Sequence, residues 1–321
     1  MVTIAVLAPC KSADRVYAER HRERLKKIGV LVDARFKENV DEVMDRIATA
    51  DIIMSTWGMP KADEAFLNKV PGLIAIFYAA GSVKQFATPF LWKRGVVLSS
   101  AAPANAIPVA EYTFAVILLS NKQFWAVMHS KNRLPAFGNY HRQVGIIGAS
   151  MVGRELIRLL RNTELDVLLH DPFVDNETAK QMGVTKVELP KLMSESDIVS
   201  LHAPNLPHLR HMINAELLSQ MKDGATFINT ARGVLVDESA LIAELRSGRI
   251  RAVLDVTASE PPDDESPLWK LSNVIYTPHI AGSIGDECHR LADFAIEELE
   301  RFLSNKPLAN AVKQESLAYL A

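Results

Sequence analysis

Cysteine is scarce in this 321-residue chain, which has only Cys10 and Cys288. Two cysteines build no disulfide framework, and neither stands at a zinc-ligand spacing from histidine, so a reducing, cytoplasmic setting fits best. A basic excess is missing too. Lys and Arg number 36 against 38 Asp and Glu, a formal net charge of -2, which argues against a nucleic-acid partner. The most basic stretch, Arg15 to Lys27, includes Glu19 and Glu23 at helical spacing and reads as a solvated helix face. Long apolar runs are also absent. The N-terminal MVTIAVLAP breaks at Pro9, too early for a signal peptide, and Ala110–Leu119 contains Glu111 and falls short of a membrane span. His202, His208 and His211 match no ligand spacing, so no metal is expected. What remains is a soluble globular composition, 48% hydrophobic and 23% charged, long enough for two domains.

The stretch GIIGASMVGRELIRLL, Gly145 to Leu160, organises the rest. The apolar run Val144–Ile147 reads as a buried strand ending at Gly148. A tight turn follows, then an amphipathic helix with Val152, Leu156, Leu159 and Leu160 on one side. A second strand, Asp166–Leu169, leads to Asp171, and 171 − 148 = 23. Strand, glycine turn, helix, strand and acid at this distance form a dinucleotide-binding fingerprint. Helix-terminal N–H groups can face a pyrophosphate, and the acid can accept the ribose hydroxyls. The middle glycine of the G-x-G-x-x-G pattern is replaced by Ser150, which either holds the phosphate farther out or donates its hydroxyl to it.

The chain before this stretch alternates strands and helices. Strands are expected at Val2–Leu7, Val30–Ala34, Asp51–Ser55, Leu73–Phe77 and Val96–Leu98, and helices at Ala13–Lys27, Asn39–Ala48 and Lys61–Asn68. Such alternation argues a parallel sheet covered on both faces. The small-residue loop Tyr78–Val83 follows a strand, where open α/β sheets place ligands. A long apolar helix is expected from Pro108, a first-turn proline, to His129, followed by a polar linker over 130–142. After Asp171 come strands Ile198–Leu201, Ala225–Asn229, Ala252–Val256 and Val274–Tyr276, with helices near Asn214–Met221 and Asp237–Arg246. A last amphipathic helix, Gly285–Leu303, can return to complete the first domain.

Ionisable groups stand where three successive strands end: Arg232 in TARG, Glu260 in TASEPP and His279 in TPHIAG. All three emerge at the sheet edge that carries Gly148 and Asp171. Hydride transfer at an alcohol carbon needs a group that exchanges a proton with the oxygen, which suits histidine. A carboxylate beside it favours the imidazolium, and arginine grips a substrate carboxylate with two parallel hydrogen bonds.

These motifs resemble the D-isomer-specific 2-hydroxyacid dehydrogenase family. AANAIPVAE resembles its helix start, GIIGASMVG its nucleotide turn and LHAPN the strand after the fingerprint. FINTARGVLVDESAL resembles its arginine motif, while LDV…EPP and TPHIAG supply the Glu and His. The resemblance covers essentially the whole chain. It implies an α/β protein of two Rossmann-like, doubly wound parallel-sheet domains, with the cofactor domain (109–284) inserted into a flavodoxin-like substrate domain (1–108 and 285–321). It implies an NAD-dependent oxidoreductase acting on a small D-2-hydroxy acid or its 2-keto acid. His279 would be the acid/base, Glu260 its partner, and Arg232 the group on the substrate carboxylate and carbonyl. Cofactor contacts would come from Gly148, Ser150, Met151, Val152, Asp171, His202, Ala203, Pro204, Thr230, Ala231, Arg232, Asp255, His279 and Gly282. A homodimer, joined through the cofactor domain, is implied as well.

Two further family readings compete: a phosphoglycerate dehydrogenase, and a non-enzymatic NAD(H)-sensing, corepressor-like protein. AAGSVK replaces the family's usual GxGxDxID loop, and the segment before the fingerprint strand is short. The Ala80 and Gly81 amides can still hold one carboxylate together with Arg232. The loop start Phe77-Tyr78-Ala79 carries no cation, and Lys84 reads as a solvated helix residue, so an unphosphorylated substrate is expected. Asp171 should repel a 2′-phosphate, and Pro172, Phe173, Val174 and Asp175 offer no cation, which points to NAD(H) over NADP(H).

Overall fold

Residues 1–128 and 138–319 are described by the computed structural model, in which the chain forms two units. One consists of Met1–Asn105 with the chain from Ser283 onward, the other of Ala106–Gly282. The divisions fall at Asn105/Ala106 and Gly282/Ser283, three and two residues before those read from the sequence.

The first unit holds β1 (Thr3–Pro9), β2 (Val30–Phe36), β3 (Ile52–Ser55), β4 (Ala75–Tyr78) and β5 (Val97–Ser100), all parallel, in the order β2-β1-β3-β4-β5. Every residue of β3 and β4 is buried, because apolar side chains on both faces need cover on both sides. Ala5, Leu7, Ile53 and Ile76 enter one core, while Ile4, Val6, Met54 and Phe77 enter the other. The second core is closed by Leu291, Ala292, Ala295, Ile296 and Leu299 of the helix Glu287–Leu303. The buried carboxylate of Glu298 on this helix accepts the Ser99 hydroxyl at 2.8 Å, the Ala309 amide at 2.8 Å and the Asn310 amide at 2.9 Å. These bonds lay the C-terminal chain beside β5.

The expected helix Ala13–Lys27 is two helices, Cys10–Val16 and Glu19–Ile28. Tyr17 leaves helical geometry (φ −99, ψ 83) because its ring is buried and its hydroxyl donates to the Ser55 carbonyl at 2.9 Å. The expected helix Asn39–Ala48 begins as a 3-10 turn, Val40–Val43, capped by Asn39 and Glu42. A short helix, Pro89–Lys93, was not anticipated.

The long apolar helix starts earlier and stops sooner than its proline suggested. It runs Ala102–Asn121, with Pro103 in the first turn and Pro108 in the interior. Burial of Ala110, Val116 and Ile117 in the second unit's core compensates for the hydrogen bond that Pro108 cannot donate. By length and composition alone this 20-residue helix could cross a membrane, unlike the shorter segment expected. After a left-handed Gln123 a further turn covers Phe124–Val127. The expected helix end at His129 and the linker through residue 137 lie outside the described residues. The linker's last residues, 140–142, belong to a strand.

The second unit is a seven-stranded parallel sheet of β6 (Tyr140–Ile147), β7 (Glu164–His170), β8 (Thr185–Lys186), β9 (Ile198–Leu201), β10 (Thr226–Asn229), β11 (Arg251–Leu254) and β12 (Val274–Tyr276). The order is β12-β11-β10-β9-β6-β7-β8, so the winding reverses between β6 and β9. Parallel sheets bind ligands in the crevice at such a reversal, beyond the strands' carboxyl ends. β8 and the short helices Asn176–Gln181 and Leu189–Glu195 were missed, being too brief for a periodicity to show.

Candidate active site

At the reversal point, β6 leads into the glycine turn and the ten-residue helix Met151–Leu160. Gly148 has φ +97, and a Cβ there would lie 2.9 Å from the Ala203 amide nitrogen and the His202 carbonyl. A Cβ at Gly153 would collide with the Gly148 carbonyl. The two glycines thus let the turn close against the loop after β9 and the helix seat on the turn. Ser150 takes a role the sequence did not reveal: it caps the helix, its hydroxyl oxygen accepting the Gly153 amide at 3.3 Å. Its own proton remains available to a phosphate. Among the described residues nothing accepts from the Met151 and Val152 amides, which leaves them for an anion at the helix N-terminus. Asp171 follows β7, and its carboxylate accepts the Ala149 amide at 2.7 Å and the Phe173 amide at 2.8 Å. The turn and the acid are therefore one hydrogen-bonded unit.

Ala203 and Pro204 follow β9 beside the turn. The side chain of His202 belongs to the core: it is buried, and Nε2 pairs with the Ser200 hydroxyl at 2.8 Å. Burial pushes its pKa down to about 3, so the ring stays neutral at physiological pH.

After β10, Asn229 shapes the arginine loop by accepting the Ala231 amide at 3.0 Å and donating to the Arg232 carbonyl at 3.1 Å. The Thr230 hydroxyl meets that of Thr113 at 3.2 Å. Arg232 donates to the Ala231 carbonyl at 2.6 Å, which leaves further N–H groups of its fork for another acceptor. Burial lowers its pKa, and the negative charge of Glu260 acts in the opposite direction.

The loop after β12 is held by Asp255, a buried acid just past β11. Its carboxylate accepts the Thr277 hydroxyl at 2.7 Å, the Ile280 amide at 2.9 Å and the Ala281 amide at 2.9 Å, while its carbonyl accepts the His279 amide at 3.0 Å. Because Thr277 donates to Asp255, the Tyr112 hydroxyl, 2.8 Å away, donates to Thr277. His279 sits at φ +55, a left-handed conformation uncommon outside glycine, and Nδ1 lies 2.6 Å from Glu260 Oε2. Both side chains are partly open, at 51% and 33% exposure. The structure thus brings Arg232, Glu260 and His279 together in the second unit, with Gly282 closing the same loop. The clamping role of Asp255, and Tyr112 and Thr277 altogether, escaped the sequence reading. The acid just past β11 was the available signal.

In the first unit Ala80 and Gly81 follow β4, and among the described residues nothing accepts from their amides. The described residues contain no cluster of three His, Cys, Asp or Glu able to hold a metal.

Residues 116–281 match the model of the D-isomer specific 2-hydroxyacid dehydrogenase NAD-binding domain. A glyoxylate reductase of Korarchaeum cryptofilum is 31% identical over 289 residues, covering 85% of this chain and 86% of that protein. A D-3-phosphoglycerate dehydrogenase of Archaeoglobus fulgidus is 28% identical over 312 residues, covering 94% of this chain and 58% of its own. The chain spans somewhat over half the length of three D-3-phosphoglycerate dehydrogenases it matches, 58%, 54% and 52%. Among solved structures, the TT0316 protein of Thermus thermophilus superposes with a TM-score of 0.75 at 26% identity, over 98% of this chain and 100% of that one. Apo D-mandelate dehydrogenase of Rhodotorula graminis, at TM-score 0.82 and 20% identity over 98% of each chain, shares the fold. The chain belongs to the D-isomer-specific 2-hydroxyacid dehydrogenase family, and its second unit is the NAD-binding domain.

Proposed function

We propose that the protein is an NAD-dependent dehydrogenase interconverting a D-2-hydroxy acid and its 2-keto acid. The observation that carries this reading is the 2.6 Å contact between His279 Nδ1 and Glu260 beside Arg232, in the unit that bears the nucleotide turn. The residues present fit a dinucleotide: a glycine turn that approaches closely, unpaired amides at a ten-residue helix, and an acid fixed to the same turn. Bound nicotinamide supplies or receives the hydride.

The chain's own groups handle binding and the proton. Glu260 occupies Nδ1 of His279, which leaves Nε2 to give a proton to the substrate oxygen during reduction and take it back during oxidation. Glu260 also holds the ring in one orientation. Arg232, partly buried, grips the carboxylate and fixes which face of the carbonyl is presented. The Ala80 and Gly81 amides are the proposed carboxylate contacts of the first unit.

A cytoplasmic homodimer completes the reading. Its support is a pair of free thiols and the exposed apolar side chains of Phe124, Met128 and Tyr140, at 43%, 53% and 65% exposure in the cofactor unit. Light scattering at assay concentration tests the dimer. Loss of NADH absorbance with a panel of 2-keto acids tests the activity, and a panel without turnover would remove it.

A further inference from the structure

In the first unit the winding reverses between β1 and β3, so the loops after these strands flank the crevice where such sheets bind ligands. The helix Cys10–Val16 follows β1 directly, and the Tyr17 hydroxyl ties its end to Ser55, the last residue of β3. Arg15 therefore stays at the carboxyl edge of the sheet. Its guanidinium carbon lies 4.4 Å from the ring centroid of Trp57, in the loop after β3. That loop is tied to the next one: Thr56 Oγ1 donates to the Ala79 carbonyl at 2.8 Å, and the Ala79 amide donates to Ser55 at 2.7 Å. The Ala80 and Gly81 amides, for which the described residues supply no acceptor, come immediately after.

No carboxylate among the described residues pairs with Arg15. Asp14 is held by Arg22 at 2.8 Å and by Arg35 at 2.5 Å. Glu287 accepts the Ile284 amide at 3.0 Å. The Arg15 guanidinium lies over the Trp57 ring and hydrogen-bonds with the Cys288 thiol, contacts that orient it without supplying a counter-charge. Arg15 is exposed, and its contact with Trp57 holds the guanidinium at the ligand edge.

We propose that Arg15, laid on Trp57, binds a second acidic group of the substrate, carboxylate or phosphate, while the Ala80 and Gly81 amides hold the first. The enzyme then selects 2-keto acids that carry two acids. The start of the loop after β4, Ala79 to Gly81, has no cation, which is why that stretch pointed to a singly acidic substrate; Lys84, expected on a helix, lies in the turn that follows. The inference rests on the dehydrogenase reading above.

The test compares kcat/KM for glyoxylate, oxaloacetate and 3-phosphohydroxypyruvate in the wild type, Arg15→Gln and Arg15→Lys. The expected result is a wild-type preference for one of the two-acid substrates over glyoxylate. Arg15→Gln reduces that preference roughly 10- to 100-fold, chiefly through KM, and Arg15→Lys restores part of it. Whether oxaloacetate or the phosphorylated substrate shows the loss identifies the acid. A preference that changes less than about threefold in Arg15→Gln for both overturns the inference and leaves the dehydrogenase reading standing. A wild type that reduces none of the three removes both.

Discussion

Asp255 Oδ2 accepts the Ala281 amide at 2.9 Å, two residues beyond His279 in the chain. With the bonds to Thr277 and Ile280, this acid holds both sides of a histidine whose backbone is left-handed. Asp255→Asn turns one acceptor into a donor facing a hydroxyl or an amide. Urea unfolding should show a loss of about 1–3 kcal/mol, with turnover falling alongside. A variant as stable as the wild type would mean that the loop is held by other contacts.

His279→Ala should lower kcat roughly 10²–10⁴-fold with the far-UV circular dichroism unchanged. A loss below about tenfold in a folded variant would sink the acid/base assignment.

Asp171, fixed to the Ala149 and Phe173 amides, presents a negative charge beside the turn and should keep a 2′-phosphate away. Catalytic efficiency with NADH should exceed that with NADPH by about tenfold or more. Parity between the two would contradict this.

His202 contributes to pH dependence with a definite sign. Its pKa is about 3 in the fold against 6.5 in the unfolded chain, so below pH 6.5 the unfolded state binds the extra proton. The stabilisation is complete above 6.5 and is lost as pH falls toward 3, by roughly 1 kcal/mol per pH unit. His202→Gln should flatten this part of the stability profile. Unchanged slopes in denaturant melts at several pH values would exclude the histidine as the source.

Glu298→Ala leaves the Ser99 hydroxyl and the Ala309 and Asn310 amides without their shared acceptor. The expected cost is about 1–3 kcal/mol, together with faster proteolysis of the chain after Leu303. Digestion at the wild-type rate would show that the C-terminal chain is anchored elsewhere.

Several elements were legible because their signals are local. Parallel strands read as continuous apolar runs, and the buried Ile198–Leu201 and the half-buried Val274–Tyr276 appear with the bounds expected. The nucleotide turn was legible because its strand, glycines and helix start stand in one short stretch, although Gly148 also makes room for the distant loop at His202 and Ala203. Pro108 misled for the same reason: a local rule places proline in a helix's first turn, but burial of one helix face in the second unit's core overrides it. The break at Tyr17 depends on Ser55, a partner that no local pattern contains.

By itself, the sequence determined the alternation of strands and helices, the dinucleotide turn, and the emergence of an arginine, an acid and a histidine at one sheet edge. Only tertiary structure chose among residues of equal chemistry. Glu260 shares its loop with Asp263, Asp264 and Glu265, and what distinguishes it is the approach of His279 from another strand. Asp255 is a clamp because three donors 22 to 26 residues away converge on it. Arg15 belongs to a basic stretch that reads as solvated, and it faces an indole only because β1 and β3 lie side by side. Periodicity reports which face of an element is buried, whereas a hydrogen bond or a charge contact depends on which distant segment arrives there, and that is decided by sheet order.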